Sequence, residues 1–297
     1  MLQQELRELA TTTQQTQATS TLPWFLQDFD AHAPADYTPG FGGSGGVASS
    51  NNSGDSSPAP YVADAVYFNG STWLSTNDLQ TVNSKNFTAS LWVNLTIRDT
   101  YWPIFVSDPA QYYTYMQITG VGSLGPEWPQ LEVGNSTSGF FTTYNTSAVA
   151  PDNVWHHILV SVEAGNGSTV GHAKIYVDDI DVTGTISLNS INLNGLSFYL
   201  GADTFATPLV ADLADVYIAP GVSLLDSNGD IPTSTRREFI DANHKPVDLG
   251  PNCANPTGTA PAICFSGDAS SFPNNKGTGG AFTLTGTLTN ATSSPSD

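Results

Sequence analysis

Charge is scarce in this chain. Only 12% of its 297 residues are Asp, Glu, Lys or Arg, so neutral polar side chains must cover the surface. Bases are scarcer still: 8 Lys and Arg stand against 27 Asp and Glu, a net charge of −19. That shortage disfavours nucleic acid as a partner, because phosphate neutralisation needs Lys and Arg. It disfavours an anionic membrane surface for the same reason. No apolar run approaches the ~20 residues of a membrane span. Met1 to Gln17 lacks the apolar stretch of a signal peptide, so no secretory leader is expected. Cysteine occurs twice, at Cys253 and Cys264. Two readings stay open for the pair: a disulfide across a short loop, or independent buried thiols. With no Cys-x-x-Cys and no nearby His pair, four zinc ligands cannot be assembled.

What the chain has in quantity is Ser, Thr, Asn, 27 Gly and 19 Pro, beside 39% hydrophobic residues. Such a composition suits many short strands joined by turns around a sizeable core. Residues 1–60 read differently from the rest. Leu2, Leu6 and Leu9 form one apolar stripe of a short helix, which is marginal unless it docks. Trp24, Phe25 and Phe29 form an apolar anchor in a polar arm. Gly40 to Pro60 has linker composition. Residues 61–297 are the domain proper. The Asn-x-Ser/Thr triplets at Asn51, Asn69, Asn86, Asn94, Asn135, Asn145, Asn166 and Asn290 follow from Asn/Ser/Thr richness.

Strand signals then follow one another. Asp64 to Thr76 alternates around Asn69-Gly70, which predicts a hairpin. Asn86 to Ile97 puts Ala89, Leu91, Val93 and Leu95 on one face and Ser90, Trp92 and Asn94 on the other. Val154 to Ala164, His172 to Gly184, Leu196 to Asp203 and Leu209 to Gly221 add further strands. Gly280 to Ala291 predicts one strand, with Phe282, Leu284 and Leu288 facing one way and Thr283, Thr285 and Thr287 the other. Pro232 to Ala242 is the one helix, with Thr235 and Glu238 in capping-box spacing. The pattern predicts an all-β, two-sheet antiparallel sandwich with one short helix and an extended N-terminal arm.

The order FNGSTWLST, FTASLWVNL, NVWHHILVSVEA, KIYVDDIDVTG, FYLGAD and ADLADVYIAPGVSLLD resembles the laminin-G-like, concanavalin A-like jelly roll over residues 63–245. The tail from Asn243 to Gly286 resembles the closing segment of bacteriophage virion proteins carrying this module. The resemblance implies a non-enzymatic virion surface protein: a decoration, fibre or tail component with host-glycan adhesion. Its implied partners are other virion proteins, sister copies (a trimer) and a host surface glycan, with no nucleic acid and no membrane. Its implied place is the virion surface after synthesis in the host cytoplasm, the alternative being extracellular. A Ca2+-assisted lectin or receptor-binding module is the second reading, and a glycoside hydrolase the third. No cofactor is required, and Ca2+ is the one the family allows.

Five groups of residues bear on those readings. Asp178, Asp179 and Asp181 fall at a strand–turn–strand, where the family carries Tyr-Val-Asp-Gly. Asp179 in place of that Gly puts the tightest turn in doubt, because φ > 0 suits Gly better. The acid run of jelly-roll glucanases is absent, which weakens catalysis by paired carboxyls. Asp226, Asn228 and Asp230 alternate as Ca2+ ligands would, or as a solvated turn does. Asp203, Asp212 and Asp215 flank strand ends and would join a Ca2+ site at the family's loop rim. Trp102, Tyr112, Tyr113, Tyr115 and Trp128 are candidates for stacking on a glycan or a protein partner. His156 and His157 point to opposite faces of a strand and cannot pair on one metal.

Overall fold

The computed structural model describes residues 60–79, 86–95, 101–107, 114–119, 130–135, 139–142, 153–163, 171–186, 197–202 and 208–297. The chain divides into two compact units, Met1–Ser57 and Pro58–Asp297. The anchor residues Leu2, Leu6, Leu9, Trp24, Phe25 and Phe29 lie outside the described residues, and the second unit is the subject here.

Its strands in chain order are β1 (Val66–Asn69), β2 (Trp73–Thr76), β3 (Asn86–Asn94), β4 (Tyr101–Ser107), β5 (Thr114–Thr119), β6 (Gln130–Asn135), β7 (Gly139–Thr142) and β8 (Trp155–Glu163). There follow β9 (His172–Val177), β10 (Ile180–Asp181), β11 (Thr185–Ile186), β12 (Phe198–Leu200), β13 (Val210–Pro220), β14 (Ile263–Phe265), β15 (Thr283–Thr285) and β16 (Thr289–Asn290). The helix α1 is one turn, Thr233–Arg236. Sheet I runs β10-β9-β8-β3-β13-β1-β16, with β14 also on β13. Sheet II runs β11-β7-β6-β5-β4-β12-β2-β15. Every pairing between these strands is antiparallel. The result is the expected two-sheet sandwich.

Alternation builds the core. Ala89, Leu91 and Val93 of β3, Ile158, Val160 and Val162 of β8, and Leu213, Val216 and Ile218 of β13 meet Leu74, Phe105, Met116, Phe198 and Leu200 from sheet II. Phe105 stacks on Phe198 with centroids 5.4 Å apart, and Phe265 on Phe272 at 5.7 Å. Each buried Phe is worth about 1.5–3 kcal/mol over leaving it in water.

The opposite face of sheet I is also buried. Ser90, Trp92 and Asn94, expected on a polar face, are each no more than 5% exposed. What covers them is the chain beyond β13. Ile231, Phe239, Leu249 and Cys253 pack on Leu159, Tyr176 and Tyr217, while Ile240 packs with Trp92 and Ala214. Cys253 and Cys264 are bonded across this cover, with Cα atoms 6.1 Å apart. The sandwich therefore carries a third layer over sheet I, built from residues 222–253, while Ile263, Phe265, Phe272 and Leu288 return to the core between the sheets.

Three local expectations are corrected. Asn69-Gly70 makes no hairpin: β1 pairs within sheet I and β2 within sheet II. Asn69 Oδ1 instead accepts the Ser71 N–H and lies 3.0 Å from Thr72 Oγ1, turning the chain from one sheet to the other. Gly280 to Ala291 is not one strand either. Gly286, at φ +79°, breaks it into β15 in sheet II and β16 in sheet I. A side chain at Gly286 would run into the Ser71 carbonyl, so the two sheet-crossing corners rest on each other. Finally, α1 begins at Pro232 with no side-chain cap, and Thr235 lies inside it. Its position is set by Arg236 and Arg237, which are drawn to Asp179.

Candidate functional site

The Asp178–Asp181 stretch is a tight turn whose acids are all engaged. Asp178 and Asp179 both have positive φ, 49° and 66°, so the turn survives without the Gly. Asp178 is held by its carboxylate: Oδ1 accepts the His157 N–H at 2.8 Å, and Oδ2 lies 2.6 Å from His156 Nδ1. Asp179 receives Arg236 Nε and Arg237 N–H, each at 2.5 Å. Burial pushes its carboxyl up, but those two guanidinium bonds outweigh it and hold the group below its ordinary value. Asp181 is paired with Lys174 at 2.5 Å. Arg236 also lies 4.2 Å from the Tyr176 ring centroid. This network pins the cover to the β9–β10 hairpin and has no free carboxylate pair to offer a sugar.

The Ser90–His157 contact is equally closed. Ser90 Oγ lies 2.8 Å from His157 Nε2. Both are buried, and His157 Nδ1 has no hydrogen-bond partner among the described residues. Burial pushes the His157 pKa down to about 4, so it stays neutral. Without an acid on Nδ1 and without access for substrate, the pair is part of the packing.

Of the expected Ca2+ ligands, the described ones have these surroundings. Asp226 Oδ1 accepts the Asn228 and Asp230 N–H groups, and Asp230 Oδ1 accepts Tyr176 O–H at 2.6 Å. Their oxygens are spent on a turn. Asp215 sits at the β13 bulge and accepts the Tyr61 hydroxyl at 3.0 Å. Burial pushes its pKa up to about 7, against the Tyr61 hydrogen bond. Asp212 stands in register with Asn94 and Tyr67, and burial raises it to about 6. Asp203 lies outside the described residues. Among the described residues no three His, Cys, Asp or Glu side chains gather as metal ligands.

The outer face of sheet II is open only towards its β2–β15 edge: Thr283 is exposed and Trp73, Ser75, Tyr199 and Thr285 are half-buried, while Val106 and Gln117 further along are buried. The core row of sheet II reads Leu284–Leu74–Leu200–Phe105–Met116 across the strands. The next row, on the other side by alternation, reads Thr283–Ser75–Tyr199–Val106–Tyr115. Trp73 stands on that side too, opposite Thr285. Trp73 and Tyr199 are half-buried and belong to no core cluster. Neither they nor Ser75, Thr283 and Thr285 spend a side-chain polar group on a protein partner among the described residues. Two aromatic rings thus lie among free hydroxyls, with no carboxylate or base in the row. Trp73 and Tyr199 were not among the expected site residues. The signal was there: Trp-Leu-Ser-Thr and Phe-Tyr-Leu each put one aromatic out of step with the core. Of the expected aromatics, Tyr115 falls in this row by register, and Trp102 lies in β4 opposite Ile118. Tyr112, Tyr113 and Trp128 lie outside the described residues.

Residues 68–222 match the family model of the concanavalin A-like lectin/glucanases superfamily. The chain belongs to that superfamily. That match ends at Val222, where the cover begins. No curated protein matches the chain. Among solved structures, a candidate carbohydrate binding protein from Bacteroides ovatus superposes with TM-score 0.53 at 15% identity, over 79% of this chain and 62% of that one. Domain 4 of an extracellular arabinanase from Geobacillus stearothermophilus, in complex with arabinotriose, gives 0.40 at 21% identity, over 54% of this chain and 71% of that one. A heptameric pentraxin from Limulus polyphemus gives 0.40 at 13%, over 59% and 87%. At such identities the likeness is one of fold.

Proposed function

We propose that this superfamily member is a non-enzymatic adhesion protein that binds neutral glycans on the open face of sheet II. The observation that carries the reading is the pairing of Trp73 and Tyr199 with unpaired hydroxyls on one face while the other sheet is sealed. Aromatic rings stack on the apolar faces of sugars, and free hydroxyls exchange hydrogen bonds with theirs. The row carries no base to pair with an acidic sugar, which favours neutral glycans. The engaged state of Asp178, Asp179 and Asp181 supports binding without hydrolysis. No cofactor is needed, so binding that survives EDTA is expected; loss of binding restored by Ca2+ would revive the metal-assisted reading.

Display on a bacteriophage virion, as a trimer fixed through residues 1–60, is the finer part of the proposal. The resemblance of the tail segment supports it, and the Cys253–Cys264 bond suits a particle exposed outside the cell. The first test is a glycan array probed with purified protein. Retention of neutral polysaccharides is expected, and a blank array contradicts the adhesion reading.

A further inference from the structure

The segment between β14 and β15 contains a cleft of about 380 Å³, lined by Pro273, Asn274, Thr278, Gly280, Ala281 and Phe282 among others. That volume falls in the range of small-molecule sites. The whole cleft lies beyond residue 222, outside the part of the chain that matches the superfamily. Its walls are rigid. Asn275 is fully employed: its Oδ1 accepts the Cys264 and Gly277 N–H groups, and its Nδ2 donates to the Ala262 and Gly280 carbonyls. Lys276, Thr278 and Gly279 donate backbone N–H groups to Cys264, Pro261 and Ala262. Gly277 lies so close to the Pro261 and Ala262 carbonyls that a side chain would collide with them.

The groups left over are those a sugar would use. Phe282 is half-buried and packs on the core, edge-on to Phe265 at 5.0 Å and Phe198 at 6.1 Å, with only its exposed part bordering the cleft. The Asn274 amide is exposed and without a partner among the described residues. Thr278 Oγ1 donates to Pro261 O and keeps its lone pairs. No ionisable side chain lines the cleft. Phe282 leads directly into β15, the edge of the open face. We infer that this cleft is a subsite for one neutral pyranose unit at the edge of the sheet II face. The inference rests on the adhesion reading, since it extends the same bound chain past the β15 edge of sheet II.

The test is titration of the full chain with the neutral oligosaccharide that binds best on the array, followed by calorimetry. Ala281→Trp fills the cleft, and Asn274→Ala removes its free amide. Each is expected to weaken binding at least fivefold while leaving the melting temperature unchanged. Ala281→Trp is further expected to shorten the optimal oligosaccharide by one sugar. If wild-type protein binds no glycan, the adhesion reading falls and the subsite with it. If wild-type binds and both variants bind as tightly, the subsite alone is wrong. Should Ala281→Trp fail to fold, Asn274→Ala with Thr278→Val decides on the same criterion.

Discussion

At the scale of single residues, Asp178, Asp179, Asp181 and Asp226 are held by protein partners, and each one's setting predicts its effect. Asp179 holds Arg236 and Arg237 from a position 15% exposed. Asp179→Ala leaves two guanidinium groups without their carboxylate and should cost about 2 kcal/mol, between exposed and fully buried ion pairs; urea denaturation reads it directly. Glycan binding should not change, because the hairpin is not on the open face. Asp212 and Asp215 predict an unusual pH dependence. Their folded pKa values are raised to about 6 and 7. A raised carboxyl binds more protons folded than unfolded, so its share of stability is full below about pH 4 and is lost as pH rises through 6 to 7. Thermal melts should fall from pH 4.5 to 7.5, and Asp215→Asn should flatten that slope. An unchanged slope would contradict the assignment. The sequence showed where these acids fall along the strands, and not what they meet. Arg236 and Arg237 lie more than fifty positions from Asp179, and Tyr61 lies 154 from Asp215.

At the scale of elements, period-two alternation identified most strands, because a half-buried strand must alternate. It misled where burial is two-sided. Asn94 and Trp92 looked outward-facing until residues beyond β13 covered them, and the same cover shields Asn94 from any modifying enzyme. It also misled at corners. Asn-Gly and the Thr-Leu-Thr-Gly-Thr-Leu run signal a turn and a strand, yet a jelly roll spends such stretches on passing between sheets. The helix spacing suggested a capping box, while the long-range pull of Asp179 decided where the turn begins. The Cys253–Cys264 bond closes the cover over a separation of 11 residues. Chain entropy for so short a loop gives about 3 kcal/mol. Cys253→Ser with Cys264→Ser should lower stability by that order, read as a drop in the urea midpoint, with the sandwich still formed.

At the scale of the folded domain, among the described residues, the outer face of sheet I is covered and that of sheet II is exposed towards its β2–β15 edge. That asymmetry comes from residues 222–253, which no period in the sequence announces as a layer. The division at Ser57/Pro58 predicts that residues 58–297 fold alone and bind glycan as the full chain does. The truncated protein should be missing from particles, and its normal incorporation would refute the role given to residues 1–60. The central claim concerns the open face, and the direct measurement is the affinity of Trp73→Ala/Tyr199→Ala for the array-selected neutral glycan. The account predicts binding at least tenfold weaker, about 1.4 kcal/mol, with an unchanged melting temperature; undiminished affinity in that folded variant would contradict it.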